Sequence, residues 1–368
     1  MKDWKFSKTL ISYCKENLCD NTGLMPRVFH IVYVGSLDPQ SNSFRRFKTL
    51  QQLGHRVVGL DIDPIIMHTP FSSIHYRLNI GPGIFRLNKL VRKIVCDEKP
   101  DLLFVDNKSY LTGRTLQFLK SKLPGMKLAN LVTDDPTGHS KSAWRLSIKT
   151  APFFNIHFVQ RKVNISELMA VGAQKVSICH RSFDPAYHRR MTLNDLDYQK
   201  YHCKVGFVGT HEDVRESYIA ELIKAGIPVF VTGNDWPNKK HWDTIKPYYR
   251  GPSTYGEEYI KIINGMDIAL HFLRHGNRDE QDSRTFEIPA CGAFMLAEDS
   301  ELHRQLFEQG KEAVFFNSKE ELLDKVKYYL ANPEERQSIA DAGMKRCHDS
   351  GYTHEGRLIQ VMKEIAEA

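Results

Sequence analysis

The sequence lacks any long uncharged apolar run. No stretch reaches the roughly eighteen apolar residues that a transmembrane helix needs, and the first five residues, Met1 to Lys5, do not begin the apolar core of a secretion signal. The sequence therefore predicts neither a membrane-spanning helix nor a secretion leader. We expect a cytoplasmic protein.

Paired cysteines are also lacking. The chain has 7 cysteines, an odd number, with no CxxC pair and no Cys/His spacing that is typical of a zinc site. A disulfide-stapled fold is excluded, and we expect reduced thiols.

The excess of charge of one sign is small. Lys plus Arg total 51 and Asp plus Glu total 44, which gives a net charge of +7 at pH 7. No block of five or six like charges and no reader motif appears, so a nucleic-acid partner is not expected. The surplus favours only mild attraction to phosphates, nucleotides or an anionic membrane surface.

The chain is long, and strand-like and helix-like segments alternate along it. Its 368 residues, 41% hydrophobic and 26% charged, are enough for two globular domains. Strand-like runs alternate with helix-like runs, as in parallel sheets covered by helices on both faces. In the first half these runs are residues 28–34, 55–61, 102–105, 127–132, 153–159 and 175–179. In the second half they are residues 204–209, 228–231, 268–271, 293–296 and 313–316.

The predicted fold class is therefore α/β, with two Rossmann-like, doubly wound parallel-sheet domains in tandem that face a cleft. The segment around Pro185 has many charges and no sustained periodicity, which favours a linker. The predicted parts are an N-terminal extension (1–25), a first domain (26–185), a linker (186–203), a second domain (204–350) and a C-terminal helix (351–368).

Four helix starts in the second half carry a capping signature. Three have a Ser, Thr or Asp followed three positions later by Glu, which is typical of a capping box. The fourth has Asn before a Pro at the first helical position. The predicted starts lie at Asp213, Thr254, Ser318 and Asn332.

Residues 283–296 are the strongest candidate for a binding site. Ser283 predicts the cap of a short helix, and Gly292 and an apolar strand follow it. The first turn of this helix should face the cleft, where ligands bind in open α/β sheets. Its free N–H groups suit a diphosphate, Arg284 adds a charged fork, and Glu287 can accept hydrogen bonds from a ribose. The alternative is an Arg and a Glu on a solvated helix face.

These residues and several others resemble a known family. The run 284–296 continues into Glu301-Leu302, Phe307, Gly310, Glu320 to Leu322, Asn332-Pro333 and Ala342-Gly343. Further matches are Val208 to Thr210, Thr133 to Pro136, Gly35 and Leu53 to His55. Together they resemble the spore-maturation CgeB-type glycosyltransferases, which are similar to the GT-B class of two-Rossmann nucleotide-sugar transferases. The likeness is strong over residues 204–354 and weaker over 28–190.

The resemblance implies that the second domain binds a nucleotide-sugar donor and the first binds the acceptor, without a metal ion or another cofactor. Retaining members have two carboxylates separated by seven residues. Glu287 matches the second, and Asp279 falls at the first, catalytic position. Asp in place of Glu is a departure, so Glu280 or Asp282 could take this role, and a solvated acidic loop is the alternative.

The resemblance also extends the donor-binding set. Thr285 lies in the same motif as Arg284. The turn at Gly251 resembles the place where the family's backbone contacts the nucleobase.

Further candidates follow strands of the second domain. His211 could reach the donor phosphates or act as an acid or base, although a loop histidine without a role is the alternative. Arg215 and Arg274 could each neutralise a departing diphosphate. We expect only one or two of the basic candidates to do so.

Two acidic pairs follow strands of the first domain. Asp61 and Asp63 have the D-x-D form of manganese-dependent transferases of another fold, but they end a strand and are interpreted as structural. Asp134 and Asp135 follow the strand 127–132 and should face the cleft. There Asp134 could bind acceptor hydroxyls and Asp135 could act as a general base.

Gly35 and Ser36 end the first strand and are assigned to the acceptor side of the cleft. No second or third glycine follows at fingerprint spacing, which argues against a nicotinamide cofactor.

The predicted function is transfer of a sugar from a nucleotide-sugar donor to an acceptor hydroxyl, in surface glycan, lipopolysaccharide or polysaccharide biosynthesis. The acceptor would be a glycan or a lipid-linked saccharide. Two alternatives stay open, since one fold can host several functions. One is a non-catalytic binding protein, and the other is a nucleotide-sugar epimerase or hydrolase.

Basic residues on two early helices suggest where the acceptor comes from. The other faces of these helices are apolar, so the charges are predicted to face solvent. They provide either ordinary solubility or peripheral contact with the anionic inner face of a membrane. They are Arg45, Arg46, Lys48, Arg86, Lys89, Arg92 and Lys93.

Overall fold

A computed structural model describes residues 27–138 and 141–368 of the chain. The predicted extension, residues 1–25, lies outside these described residues. Two parallel sheets, one of six strands and one of five, organise the molecule.

The first sheet has the strand order β2-β1-β3-β4-β5-β6. Its strands are β1 (His30–Gly35), β2 (Arg56–Asp61), β3 (Leu102–Asp106), β4 (Lys127–Val132), β5 (Ile156–Val159) and β6 (Val176–Ile178). The helices between them are α1 (Asn42–Gln52), α2 (Ser72–Leu78), α3 (Pro82–Glu98), α4 (Gly113–Lys122), α5 (Arg145–Thr150) and α6 (Lys162–Ala170). Every strand pair is parallel, and in the central register Tyr33 lies opposite both Gly59 and Phe104.

The second sheet has the order β11-β10-β9-β7-β8. Its strands are β7 (Cys203–Val208), β8 (Phe230–Thr232), β9 (Met266–His271), β10 (Met295–Glu298) and β11 (Val314–Phe316). The helices after β6 are α7 (Asp195–Tyr201), α8 (Asp213–Lys224), α9 (Trp242–Ile245), α10 (Gly256–Asn264), α11 (Ser283–Ala290), α12 (Glu301–Leu306), α13 (Lys319–Ala331), α14 (Pro333–Asp349) and α15 (His354–Glu367).

Apolar side chains on both faces of each sheet form the cores. In β1, Val32 packs in a cluster with Leu87 of α3, whereas the neighbouring Ile31 packs in a different cluster with Leu358 of α15. Alternate residues of a strand point to opposite faces, so a strand covered on both sides is apolar throughout. This is why the strands could be recognised as continuous apolar runs.

Two segments join the cores in ways that the sequence did not indicate. Residues 186–203, predicted as a linker, include α7, and Tyr201 is buried in the second core. The C-terminal helix α15 packs on the first domain, beside α1. The chain therefore crosses between the domains twice, once after β6 and once before α15.

The helix starts test the capping signatures one by one. Ser318 caps α13, because its side chain accepts the backbone N–H of Glu321. Helix α8 begins at Asp213 and α10 begins two residues after Thr254, so both starts were placed closely, but neither helix has the predicted side-chain cap. Asn332 precedes Pro333 as predicted, but its side chain makes no capping bond.

The basic residues of the early helices also differ from the prediction. Arg46 is 8% exposed and pairs with Asp106, while Arg45 stacks on the ring of Tyr187 at 3.7 Å. Arg92 donates to the Thr115 hydroxyl and is half-buried. Helical periodicity did not identify these three, because neighbouring elements cover the polar side of each helix locally. Lys48, Arg86, Lys89 and Lys93 are exposed as predicted.

Among the described residues, no helix is long and apolar enough to cross a bilayer. The cysteines of this part of the chain are free thiols.

Candidate functional site

The candidate site lies where the strand order of the second sheet reverses. The chain goes from β7 to β8 on one side and from β9 to β10 on the other, so the loops after β7 and β9 diverge. A crevice at such a switch point is the usual ligand site of an open α/β sheet. Arg215 joins the two loops, since its guanidinium donates to the carbonyls of Thr210 at 2.8 Å and Leu273 at 3.1 Å.

Three arginines converge at this crevice. Burial lowers the pKa of Arg215, and the positive charges of Arg284 and Arg274 lower it further. Glu212 balances part of this charge, with its carboxylate 2.9 Å from Arg274 and 3.7 Å from Arg215. Arg284 and Arg274 therefore both lie near enough to Arg215 to act on its charge, and positive charge gathered in this way suits a ligand with two or more negative charges. The structure thus brings together the three arginines of the predicted donor-binding set.

The start of α11 differs from the prediction. The cap is Asp282, not Ser283, and its carboxylate accepts the N–H of Arg284 at 2.7 Å. Burial acts against ionisation of Asp282, but His271 and then Arg284 hold its pKa well below the usual range. Asp282 is therefore an ionised cap, and its position makes it unsuited to the catalytic role considered for it.

Thr285 does not line the crevice. It is fully buried, and its hydroxyl lies 2.9 Å from His303 Nε2 and accepts the N–H of Asp282 at 3.1 Å. The structure therefore does not support a donor contact by the Thr285 side chain, which belongs to the capping box.

Arg284 and Glu287 stand on the same helix but differ in their partners. Arg284 is 30% exposed on its side chain and lies 3.7 Å from Asp282, and its buried Nε has no hydrogen-bond partner among the described residues. Glu287 is 8% exposed on its side chain, accepts the hydroxyl of Tyr259 and lies 3.5 Å from His188 Nε2. Arg284 can therefore donate a hydrogen bond to a ligand, whereas the carboxylate of Glu287 is already oriented by two neighbours.

His211 lies at the mouth of the loop after β7. Its side chain is 6% exposed, and its Nε2 lies 3.3 Å from a carboxylate oxygen of Glu216 without forming a hydrogen bond. With Asp213 these side chains bring three ligand atoms within 4.8 Å of one another, the one such group in the described chain that could hold a metal ion. The other oxygen of Glu216 accepts the N–H of His241 at 2.8 Å.

Glycines shape the back of the crevice. At Gly233, φ is +157° and a Cβ would lie 1.9 Å from the carbonyl oxygen of Gly209, so a side chain is excluded there. Gly251 accepts the N–H of Gly233 at 3.0 Å and has open space where a Cβ would stand. Three residues further along, the hydroxyl of Thr254 is buried and has no partner in the part of the chain that the structure describes. This wall therefore has room and an unused polar atom next to Gly251.

The loop between β9 and α11 docks on the first domain. Asp279 pairs with Arg161 of the first domain, and both side chains are almost fully buried. Burial raises the pKa of Asp279, although Arg161 opposes this. A carboxylate engaged in this way ties two domains together, so the structure does not support the catalytic role predicted for Asp279. Glu280 is the carboxylate of this loop for which the described residues offer no partner.

Asp135 has a similar role. Its side chain is 2% exposed and accepts two hydrogen bonds from Arg278, at 2.5 and 2.8 Å, and one from Asn164. Burial opposes ionisation, but hydrogen bonds from Arg278 and Asn164 lower the pKa of Asp135 to about 2. A carboxylate with so low a pKa and so many hydrogen-bond partners is a poor general base, so the structure does not support the catalytic role predicted for Asp135.

The remaining first-domain candidates are held by local contacts. Asp134 is 44% exposed on its side chain and lies 3.6 Å from Arg181, so it keeps access to a ligand. Ser36 donates to Asp63. A Cβ on Gly35 would lie 2.6 Å from the Ser43 hydroxyl, which makes its role one of packing.

Asp61 and Asp63 serve the structure, as interpreted from the sequence. Asp61 accepts the backbone N–H groups of Leu37 and Asp63, each at 3.1 Å. These bonds fix the turn after β2.

Sequence reasoning missed the buried cluster at the end of β3. Asp106 accepts two hydrogen bonds from Arg46, at 2.7 and 2.8 Å, and a third from the hydroxyl of Tyr33. A signal was available, since Asp106 ends an apolar strand at the same edge as Asp134. Arg278, which holds the domains together, had no sequence signal beyond its neighbour Asp279.

Comparison with solved structures decides the fold. Sucrose-phosphate synthase from Thermosynechococcus elongatus superposes with a TM-score of 0.64 at 11% identity, covering 92% of this chain and 98% of that one. HepE from Anabaena in complex with UDP-glucose superposes with a TM-score of 0.59 at 10% identity, covering 92% of this chain and 98% of that one. The fold is GT-B. The prediction of two tandem Rossmann-like domains is confirmed.

Sequence comparisons point to the same class. Residues 215–363 match the family described as Glycosyl transferase-like. Spore protein CgeB of Bacillus subtilis is 25% identical over 175 residues, which is 44% of this chain and 53% of CgeB. The resemblance to CgeB-type GT-B glycosyltransferases is therefore confirmed. The chain spans about half the length of this curated relative.

Proposed function

We propose that this protein transfers a sugar from a nucleotide-sugar donor, bound at the crevice of the second domain, to an acceptor hydroxyl presented by the first. The gathering of three arginines at the crevice supports the proposal, because it offers cationic partners to a diphosphate: Arg215 and Arg274 share the carboxylate of Glu212, and Arg284 is partly exposed nearby. The complex of HepE with UDP-glucose, which shares the fold, supports the same donor class.

The donor would be held along the start of α11. Arg284 and the free N–H groups of the first turn would contact the diphosphate, and Glu287 would accept hydrogen bonds from a ribose. Tyr259 and His188 hold the Glu287 carboxylate in place, which reduces the ordering that a ribose would have to impose. The backbone beside Gly251 would contact the nucleobase.

Catalysis would come from alignment and from charge. The leaving diphosphate gains negative charge as the glycosidic bond breaks, and preorganised guanidiniums stabilise it without reorganisation. The ion pairs Asp135–Arg278 and Asp279–Arg161 fix the loop before α11 against the first domain. They act as positioning contacts, because they hold donor and acceptor domains at a set separation. Glu280 and His211 remain as groups that could contact the reacting centre.

The first experiment measures nucleotide binding by calorimetry, with UDP, GDP, CDP, ADP and their sugars as ligands. Arg284→Gln should weaken binding of the best nucleotide roughly tenfold to a hundredfold, the value of a charged hydrogen bond. Arg304→Gln is the matched control, since Arg304 is 54% exposed on α12 of the same domain and pairs only locally. Equal losses in both variants, or none in Arg284→Gln, would contradict the proposal.

A second experiment separates the alternatives by their products. A glycosyltransferase releases nucleoside diphosphate in proportion to added acceptor. An epimerase converts the donor without acceptor, a hydrolase releases sugar to water, and a binding protein does none of these. If the donor is turned over at the full rate without acceptor, the proposed function is contradicted and an epimerase or a hydrolase takes its place.

We also propose that the acceptor is lipid-linked and is met at an anionic membrane face in the cytoplasm. An apolar surface around α2 and the start of α3 supports this, with Phe85 75% and Leu78 59% exposed. Its other exposed apolar members are Met67, Phe71, Ile74, Tyr76 and Ile80. Exposed basic side chains adjoin them in sequence: Arg77, Arg86, Lys89 and Lys93. Apolar contact together with about 1 kcal/mol per basic residue gives reversible membrane binding.

Co-sedimentation with phosphatidylglycerol vesicles tests this surface. The protein should pellet at low salt and less at high salt, because ions screen exposed charges. The double variant Leu78→Ser, Phe85→Ser should pellet several-fold less. Leu196→Ser is the control, since Leu196 is 78% exposed on α7 in the other domain. No pelleting at low salt would favour a soluble glycan acceptor instead.

A further inference from the structure

A small cavity lies where the chain crosses between the two domains. The two crossovers run side by side, since the N–H of Phe183 donates to Tyr352 O at 3.2 Å and the N–H of His354 donates to Phe183 O at 2.8 Å. His180, Arg181 and Ser182 line the cavity from the first crossover. His354 and Arg357, in the first turn of α15, line it from the second. The cavity thus touches both connections between the domains.

Several residues that line this cavity have buried side-chain atoms without a partner among the described residues: most of these atoms are donors, and one, Gln160 Oε1, is an acceptor. His354 is 2% exposed, its Nδ1 lies 2.6 Å from the Ser182 hydroxyl, and its Nε2 has no partner. Nδ1 can accept from Ser182, which leaves the proton on Nε2 as a donor. Arg181 Nε, and Nε and Nη2 of Arg357, are buried and unpartnered too. Leaving buried donors unsatisfied is costly, so a ligand that accepts hydrogen bonds from them is favoured.

The net charge around the cavity is positive. Arg46 is neutralised by Asp106, and Arg181 lies 3.6 Å from Asp134. Arg357 lies 5.1 Å from the centre of the Tyr352 ring and has no carboxylate partner among the described residues, and burial lowers its pKa. Burial also lowers the pKa of His180 to about 4 and that of His354 well below its usual value. Both histidines are therefore neutral near pH 7, and the uncompensated charge comes from arginine.

Size and chemistry together define the ligand. The cavity has room for about one water-sized group, which excludes a nucleotide or a sugar. We propose that it binds a small inorganic anion of the size of chloride, held by Arg357, Arg181 and His354. The anion joins the two crossovers, because it accepts hydrogen bonds from residues of both. This site is separate from the donor crevice and does not depend on the proposed transferase activity.

The test follows thermal unfolding of the full chain in sodium chloride and in sodium gluconate at one constant ionic strength. Chloride should raise Tm saturably, by about 2 °C when its concentration reaches tenfold the dissociation constant. Gluconate, which is too large for the cavity, should not. Arg357→Met should remove the chloride dependence. Arg56→Met should retain it, since Arg56 is 68% exposed and remote from the crossovers in sequence.

Two outcomes would overturn the proposal. Equal Tm values in both salts mean that water, not an anion, fills the cavity. Chloride dependence that persists in Arg357→Met means that the anion binds elsewhere.

If Arg357→Met does not fold, bromide-soaked crystals of the unaltered protein provide the test instead, because anomalous scattering locates bromide directly. A bromide peak between Arg357 and His354 supports the site, and its absence contradicts it.

Discussion

The two sheets have the same architecture, but their carboxyl edges differ in how polar groups are satisfied. At the first edge, Asp106 is saturated by Arg46 and Tyr33, and Asp61 by backbone N–H groups. At the second edge, Arg284 Nε and Thr254 Oγ1 are buried and have no partner among the described residues. Buried polar groups are normally hydrogen-bonded. The two acidic side chains at the first edge are therefore already satisfied, whereas these two atoms at the second edge are available to a polar ligand.

The largest expected effect is at the saturated edge. Asp106→Ala leaves the buried Arg46 unpaired and should lower the free energy of unfolding by about 3–5 kcal/mol. Urea denaturation measures it, with the exposed Asp97→Ala as control. The double variant Arg46→Met, Asp106→Leu should recover most of the loss. If the single variant costs under 1 kcal/mol, the contrast between the edges fails.

The next effect is at the ligand edge. Glu287→Ala should weaken binding of the best nucleotide by about 1.5–3 kcal/mol, roughly tenfold to a hundredfold, because a charged hydrogen-bond acceptor is lost. Glu287→Gln keeps the shape and should lose less. Glu257→Gln, 66% exposed on α10, is the control. Calorimetric titration measures all three, and an unchanged affinity in Glu287→Ala would remove this residue from the site.

The third effect lies between the two edges and depends on pH. Arg278→Gln removes the partner that lowers the pKa of Asp135 from 3.8 to about 2. A carboxylate whose pKa is lower in the folded state than in the unfolded state stabilises the fold at pH values above its unfolded-state pKa. This stabilisation is lost as the pH falls through the folded-state pKa. At pH 7 the free energy of unfolding of the unaltered protein should therefore exceed that of the variant by about 2 kcal/mol. This difference should disappear between about pH 4 and pH 2. A gap that is independent of pH would show that Asp135 does not carry it.

The last prediction is that removing divalent metal ions has no effect on the transfer rate. Excess EDTA should leave the transfer rate unchanged, because the arginines supply the positive charge that a metal provides in other transferases. The assay is nucleoside diphosphate release with and without chelator. If activity falls and manganese restores it, His211, Asp213 and Glu216 become the first metal ligands to test by substitution.

The fold could be predicted from the sequence in considerable detail. The run 127–132 coincides with β4, and the run 204–209 lies one residue from β7. Strands buried on both faces give continuous apolar runs, which are strong local signals. Capping signatures were less reliable: Ser318 caps its helix, whereas Thr254 does not. A cap depends on where the chain enters the helix, and neighbouring elements decide that.

The candidate site was predicted only in outline. The position of Arg284 at a helix start and the cluster of basic residues followed from strand ends and motif spacing. The partners of Asp135 and Asp279 did not, because Arg278 is 143 residues from Asp135 and Arg161 is 118 residues from Asp279. Only the docking of the two domains brings these charges together, and it engages both predicted catalytic carboxylates in ion pairs.

The sequence by itself determined the two α/β domains, the strand ends that carry polar residues and the resemblance to CgeB-type proteins, because periodicity and motifs are local properties. Tertiary structure alone decided which of those polar residues remain available. Arg46 and Arg284 have the same side chain, yet one is neutralised by Asp106 and the other has an unpartnered Nε at the crevice. The availability of a charged group depends on what packs against it, and packing is set by residues far away along the chain.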